Sequence, residues 1–169
     1  NKVMYDLDSQ SVFDTFTGAA VTGPLRQADV VLPEATVVTT TWNDWKAAHP
    51  DTRIVAQDGG IGRSYEDDPL GDRDDDGPIF PIGDHDARLD VHEQVVGVKA
   101  MDGRPPVAFP AEAARATLEG GDPVTLESVT LVLDGGGLRA EVDGEPVPSH
   151  QAFWFAWSQF HQNTMLWLP

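Results

Sequence analysis

Acidic side chains outnumber basic ones by 28 to 11 in this chain, which gives its 169 residues a formal net charge of −17 at pH 7. Exposed charges repel one another over about 10 Å at 0.1 M salt but only about 3 Å at 1 M, so counterions or bound cations must screen them before the chain can compact. A hydrophobic fraction of 40% and five tryptophans still favour a folded domain. We therefore expect a halophile-like, cation-stabilised protein whose acidity is spread over a hydrated surface.

Composition also excludes several kinds of partner and chemistry. The few basic residues are scattered, so we expect no nucleic-acid partner. No apolar run is long enough to predict a membrane span in this chain. Because the chain has no cysteine, disulfides and thiolate catalysis within it are excluded. The length fits a single domain over residues 1–169, or the C-terminal part of one, with an acidic loop insertion at about 59–93.

Turn signals and apolar runs predict an α+β fold that is dominated by antiparallel β-hairpins, with two or three short helices and a long acidic loop. The predicted hairpins cover residues 2–17, closed at Gly18; residues 94–109, with a turn at Asp102-Gly103; and residues 129–142, joined by Asp134 and three glycines. Further strands are predicted for the β-branched residues 35–40 and for residues 53–56.

Three segments have the pattern of short helices. Thr41 is a suitable N-cap for residues 42–48, with Asp44 three positions on. Pro110 fits the first position of a helix that runs to residue 118 and is stopped by two glycines. The aromatic residues 152–161 place Phe153, Trp157 and Phe160 on one helical face, mainly as core, with a partner surface as the alternative.

Several patches resemble the prokaryotic family known as domain of unknown function 3179. They follow the family's order over nearly the whole chain. The residues that carry the resemblance are Val3-Met4-Tyr5-Asp6, residues 15–25, Thr41-Trp42-Asn43-Asp44-Trp45 with residues 49–52, residues 95–98 with 108–110, and residues 153–161.

The resemblance implies a secreted or membrane-anchored protein without an established activity, matched over the C-terminal two-thirds or so of the family's domain. Members carry a Cys-Pro-Leu-Cys segment ahead of the region that matches Val3, and a second copy of a unit like residues 94–118. On this basis we expect the chain to start in mid-domain and to be completed by an upstream segment or a partner chain. Extracytoplasmic localisation is expected from the resemblance only.

An acidic stretch provides a candidate calcium loop. Asp72, Asp74 and Asp76 alternate as the carboxylate ligands of a D-x-D-x-D-G loop do, and Gly77 permits the sharp turn. The twelfth position, where a bidentate glutamate belongs, is Gly83, so Asp68 or Asp84 would have to complete the site. The alternative is a solvated acidic loop without a bound ion.

Two histidine groupings suggest a transition metal. His85 and His92, with Asp86, Asp90 and Glu93, combine imidazole and carboxylate ligands but in no recognised spacing, so polar residues leading into a strand are the alternative.

His161 ends the aromatic segment, and a histidine stands in the same place in the resembling family. It is a candidate metal ligand or proton carrier, and the alternative is a hydrogen-bonded core residue that anchors a helix end. We expect His49 at a helix terminus and His150 in a loop.

Nucleophilic machinery is not evident in the sequence. Residues 62–66 fail the G-x-S-x-G pattern at the last position, and no phosphate-binding glycine motif occurs. The leading hypothesis is a non-enzymatic extracytoplasmic structural or binding module. The alternative is a metal-dependent redox or hydrolytic enzyme, completed by a cysteine-containing segment and using His161.

Overall fold

The computed structural model of the chain describes residues 3–54, 62, 64 and 81–169, and within them it forms four helices and eleven strands. The strands form three sheets in which nearly all pairings are antiparallel. This confirms the predicted α+β class with β-hairpins dominant. In these residues no helix has the length and apolar character needed to cross a membrane.

The first sheet contains β1 (Val3–Tyr5), β2 (Val12–Asp14) and β3 (Ala20–Thr22), in that spatial order. The carboxylate of Asp6 accepts a hydrogen bond from the backbone N–H of Ser9 at 2.9 Å, which holds the turn between the first two strands. The predicted N-terminal hairpin is therefore confirmed, and β3 is an addition to it. The short helix α1 (Pro24–Gln27) follows, with proline at its start.

The second sheet is the central one and has the order β10, β4, β5, β11. Its strands are β4 (Gln94–Val98), β5 (Val107–Pro110), β10 (His150–Phe153) and β11 (Met165–Leu166). Both faces of β4 and β5 are buried, which accounts for their nearly continuous apolar sequences.

The third sheet is a meander of β6 (Val124–Leu126), β7 (Val129–Asp134), β8 (Gly137–Val142) and β9 (Glu145–Pro146). The helix α3 (Ala111–Glu119) contributes Ala111 and Ala114 to the main core, together with apolar residues of β4 to β8. Pro110 is the last residue of β5, so the helix begins one residue later than predicted.

Two helices carry aromatic side chains. In α2 (Trp42–Ala48) the hydroxyl of Thr41 accepts the N–H of Asp44 at 3.2 Å, which confirms the predicted cap. The helix α4 (Trp154–Phe160) is shorter than the predicted segment 152–161, because the first two residues of that segment belong to β10. Backbone pairing of these two residues with β4 outweighs their helical spacing.

Several predicted elements differ from the structure. Residues 35–40 form no strand. They make single hydrogen bonds instead of a ladder. The Thr36 hydroxyl donates to the Val147 carbonyl at 2.9 Å, and the Val37 N–H donates to the Ser149 carbonyl at 2.8 Å. Arg53 and Ile54 lie outside any strand, and residues 55 and 56 lie outside the described residues. Most of the predicted acidic loop also lies there, including Asp72, Asp74 and Asp76 of the candidate calcium site.

Candidate functional site

Two histidines lie against a buried tryptophan beside the central sheet, and an ion pair of a lysine and a glutamate lies near them. We call His150, His161, Trp157, Lys99 and Glu34 the histidine cluster. Trp157 on α4 is fully buried, and its ring centroid lies 4.1 Å from that of His161 and 5.5 Å from that of His150. The fold thus brings together residues that are up to 127 positions apart in the sequence, which is the separation of Glu34 and His161.

The tryptophan is held by its neighbours on three elements. Its indole N–H donates to the Thr164 hydroxyl at 3.0 Å, and that hydroxyl donates to the His161 carbonyl at 2.5 Å. Its ring packs directly on the backbone of Gly97 in β4, where a side chain would overlap it. Trp157 is therefore a fixed wall against which both imidazoles are positioned.

His161 caps the C-terminal end of α4 and is neutral at pH 7. Burial, with smaller contributions from the positive charges of Lys99 and His150, lowers the pKa of its imidazole to about 4. Its Nε2 atom is buried and has no hydrogen-bond partner among the described residues. A buried imidazole nitrogen without a partner destabilises the folded state. In a neutral imidazole such a nitrogen can accept a hydrogen bond or bind a metal ion.

His150 begins β10, which corrects the expectation that it lies in a loop. Burial and the nearby charge of Lys99 lower the pKa of its imidazole. Its ring meets Phe16 edge-on at 5.7 Å, and Phe16 stacks on Phe160 at 4.7 Å. Phe16, in the turn between β2 and β3, therefore connects the first sheet to both β10 and α4.

Lys99 is the charged centre of the cluster. It forms an ion pair with Glu34, and only 20% of its side chain is exposed. Burial lowers the pKa of its ammonium group, while the carboxylate of Asp14 opposes that shift. The positive charge of Lys99 disfavours protonation of both imidazoles and so lowers their pKa values.

A cleft of about 240 Å³ opens between the first sheet, residues 32–37 and His150. Met4 of β1 and Glu34 share its lining with His150. The cleft thus combines a neutral imidazole, a carboxylate and apolar walls. Such a lining suits a ligand in which a polar group lies next to an apolar one.

The other histidine grouping predicted from the sequence is not assembled as a site. Asp86 forms an ion pair with Arg88 at 2.7 Å, and the hydrogen bond from that guanidinium lowers the pKa of the carboxyl. His92 lies 5.0 Å from the ring of Phe153, and His85 is exposed. In residues 3–54 and 81–169, no three histidine, aspartate or glutamate side chains lie close enough together to hold a metal ion. Asp84, one of the residues considered for completing the calcium loop, accepts a hydrogen bond through its backbone carbonyl from the Gln159 side-chain amide at 3.2 Å.

Sequence reasoning missed Lys99, Glu34 and the role of His150, because no local pattern connects them. It also missed a second polar network, in which His49 Nε2 lies 2.6 Å from Asp134 and Arg139 Nε donates to the same carboxylate at 3.1 Å. His49 is the C-cap of α2, as predicted, and packs on Trp45 at 3.9 Å. This network fastens α2 to the turn between β7 and β8.

The architecture defines an α+β domain, and comparison with known proteins assigns its family. Residues 1–143 match the family model described as protein of unknown function (DUF3179), and the chain therefore belongs to that family. The matched part includes Glu34 and Lys99 and ends before His150. No curated protein and no solved structure matches the chain.

Proposed function

We propose that this chain is a non-enzymatic, extracytoplasmic binding module that accepts an extended polypeptide segment along β1. This strand is at the edge of its sheet, and in the described part of the chain it pairs only with β2. Its side chains Val3, Met4 and Tyr5 are 62%, 45% and 54% exposed. An edge strand presents unpaired N–H and C=O groups, which is the basis of peptide recognition by strand addition. The open edge of β1 is the observation that carries the proposal.

The cleft of the histidine cluster would supply specificity. Met4 is the middle residue of β1 and also lines this cleft, so a segment added to the strand passes beside it. In strand addition the backbone provides affinity, and pockets for individual side chains provide selectivity. Glu34 is paired with Lys99, so the preference for a segment with basic side chains comes from the net charge of −17.

The location and the dependence on cations are part of the same proposal. Extracytoplasmic localisation follows from the family resemblance, and stabilisation by cations follows from the density of carboxylates. The segment that completes the sheet belongs either to a partner chain or to another part of a longer product.

Fluorescence anisotropy with a labelled peptide of alternating valine and lysine tests strand addition. We expect saturable binding at physiological salt. Methylation of alternate backbone nitrogens along one edge of the peptide should weaken this binding, because it removes the N–H donors but keeps the charge. A peptide of alternating valine and glutamate is the charge control. Equal binding of the methylated and unmethylated peptides would show that attraction is merely electrostatic and would contradict the proposal.

Two variants localise the binding on the protein. Met4→Lys should weaken binding of the basic peptide, whereas Glu145→Gln on the exposed β9, which changes the net charge by the same amount, should not. Light scattering provides a further check, since a dimer that is disrupted by Tyr5→Lys would mean that a second copy of this chain occupies the edge.

A second candidate function is metal-dependent chemistry at the histidine cluster. It is favoured by the unpartnered Nε2 of His161 and by the low pKa values of both imidazoles, which leave them neutral and able to ligate a metal. Other ligands would have to come from a further segment. Titration with Co²⁺, followed by its visible absorption, should show binding that is lost in His161→Ala if this candidate is correct.

A further inference from the structure

A second cleft lies at the far end of the β4–β5 hairpin and is lined by an arginine that has one buried nitrogen without a partner in the described part of the chain. Residues 100–106 and Asn163 line this cleft, whose volume is about 450 Å³. The hairpin turn is formed by Asp102 and Gly103, both with positive φ (49° and 79°), and is closed by the Arg104 N–H donating to the Met101 carbonyl at 2.8 Å. Arg104 therefore has a fixed backbone at the edge of the cleft.

One nitrogen of the Arg104 guanidinium has no acceptor among the described residues. This nitrogen is a terminal one and is buried. Asp102 lines the same cleft, yet the structure records no ion pair between the two side chains in the described part. A buried N–H of a charged group costs free energy when it has no acceptor.

The lining indicates what kind of acceptor fits. Arg104 is the only cationic side chain of the lining, and Asp102 adds a negative charge beside it. A doubly charged anion such as phosphate would therefore be poorly compensated, whereas a carboxylate matches one guanidinium fork. Met101, Pro105 and Pro106 form an apolar wall, and Asn163 adds an amide that can donate a further hydrogen bond.

We infer that this cleft binds an organic carboxylate, with the carboxylate on Arg104 and Asn163 and the apolar body against Met101 and the two prolines. The site is independent of β1 and of the histidine cluster, so it stands whether or not strand addition is correct. The carboxylate belongs either to a free small molecule or to the C-terminus of a polypeptide. Both sources present a carboxylate. In a polypeptide C-terminus the carbon that bears the carboxylate is also attached to a backbone amide, whereas a free small molecule need not have one.

Nitrogen-15 NMR of the labelled chain, following the Arg104 side-chain resonance and the Asn163 amide, tests the inference. The probes are phenylacetate for a free carboxylate and N-acetyl-leucine for a polypeptide C-terminus, with phenylacetamide and N-acetyl-leucinamide as uncharged controls. We expect saturable shifts with the acids and none with the amides. Stronger binding of N-acetyl-leucine than of phenylacetate would identify a polypeptide C-terminus as the source, and the reverse order would identify a small molecule.

Variants separate recognition from folding. Arg104→Gln should weaken the carboxylate at least about tenfold, which corresponds to ~1.4 kcal/mol, whereas Arg26→Gln on the exposed surface should not. Arg104→Met, which removes the unpartnered polar group, should leave the melting temperature unchanged or raise it. Equal shifts with acids and amides, equal shifts with chloride or phosphate, or unchanged affinity in Arg104→Gln would each overturn the inference.

Discussion

The indole of Trp157 packs on the α-carbon of Gly97, with no space between them for a side chain. Trp157 is fully buried on α4, and Gly97 lies in the middle of β4, opposite His150 on β10. This contact brings the helix against the central sheet at the point where the histidine cluster forms. The position of both imidazoles thus depends on a glycine at position 97, since any side chain there would displace Trp157.

Gly97→Ala should destabilise the protein by about 1–3 kcal/mol, because the added methyl group overlaps the Trp157 ring in a packed core. Urea unfolding measures the change. The double variant with Trp157→Leu is the control, since the smaller side chain makes room and should reduce the cost of the alanine. Additive costs would mean that the two residues do not oppose each other.

The stability of the fold should decrease as the pH falls from 6.5 towards 4. The pKa of His161 is lowered from 6.5 to about 4, so between these values the unfolded chain binds the proton more readily than the folded one. His150 is shifted in the same direction and adds to the effect. The stabilisation is complete above pH 6.5 and is lost as the pH approaches 4.

Denaturant unfolding across this pH range, combined with NMR titration of the histidines, measures the dependence. His161→Gln should flatten the slope, whereas His85→Gln, at an exposed position, should leave it unchanged. A slope that is the same in both variants would assign the pH dependence to other groups.

Asp134→Asn should destabilise the attachment of α2. The Asp134 carboxylate lies 2.6 Å from His49 Nε2 and accepts Arg139 Nε at 3.1 Å, and an amide replaces one of these acceptors with a donor. We expect a loss of about 1–2 kcal/mol in unfolding free energy. Fluorescence of Trp45, which packs on His49, should report local release of the helix. Asp122→Asn, at an exposed position, is the matched control.

Salt should raise the melting temperature. With a net charge of −17, the folded state gains from screening between low salt and molar potassium chloride, because the chain cannot neutralise its carboxylates internally. Scanning calorimetry over that range measures the effect. A melting temperature that does not change with salt would remove the basis for a halophile-like protein.

Calcium binding remains a prediction from the sequence alone. After treatment with a chelator, isothermal titration should show calcium uptake that is abolished by Asp74→Ala and retained in Asp143→Ala, a change outside the candidate loop. Uptake that is unaffected by Asp74→Ala would assign the ion to another part of the surface.

Local chemistry made much of the fold predictable. Thr41 caps α2, Asp102 and Gly103 turn the β4–β5 hairpin, and the glycines after Asp134 close the next one, because each of these signals acts over a few residues. The predicted strand at residues 35–40 failed for the complementary reason. Its β-branched residues are compatible with a strand, but pairing needs a neighbouring edge, and the structure offers them only single hydrogen bonds to Val147 and Ser149.

By itself the sequence determined the α+β class, the main hairpins, the family and the net charge of −17. Only the tertiary structure decided that His150 and His161 lie against Trp157 near the Lys99–Glu34 ion pair, and that one buried nitrogen of Arg104 has no acceptor among the described residues. The physical reason is distance along the chain. Turns and caps are fixed by neighbours in sequence, whereas burial, ion pairing and the pKa of a histidine are fixed by neighbours in space.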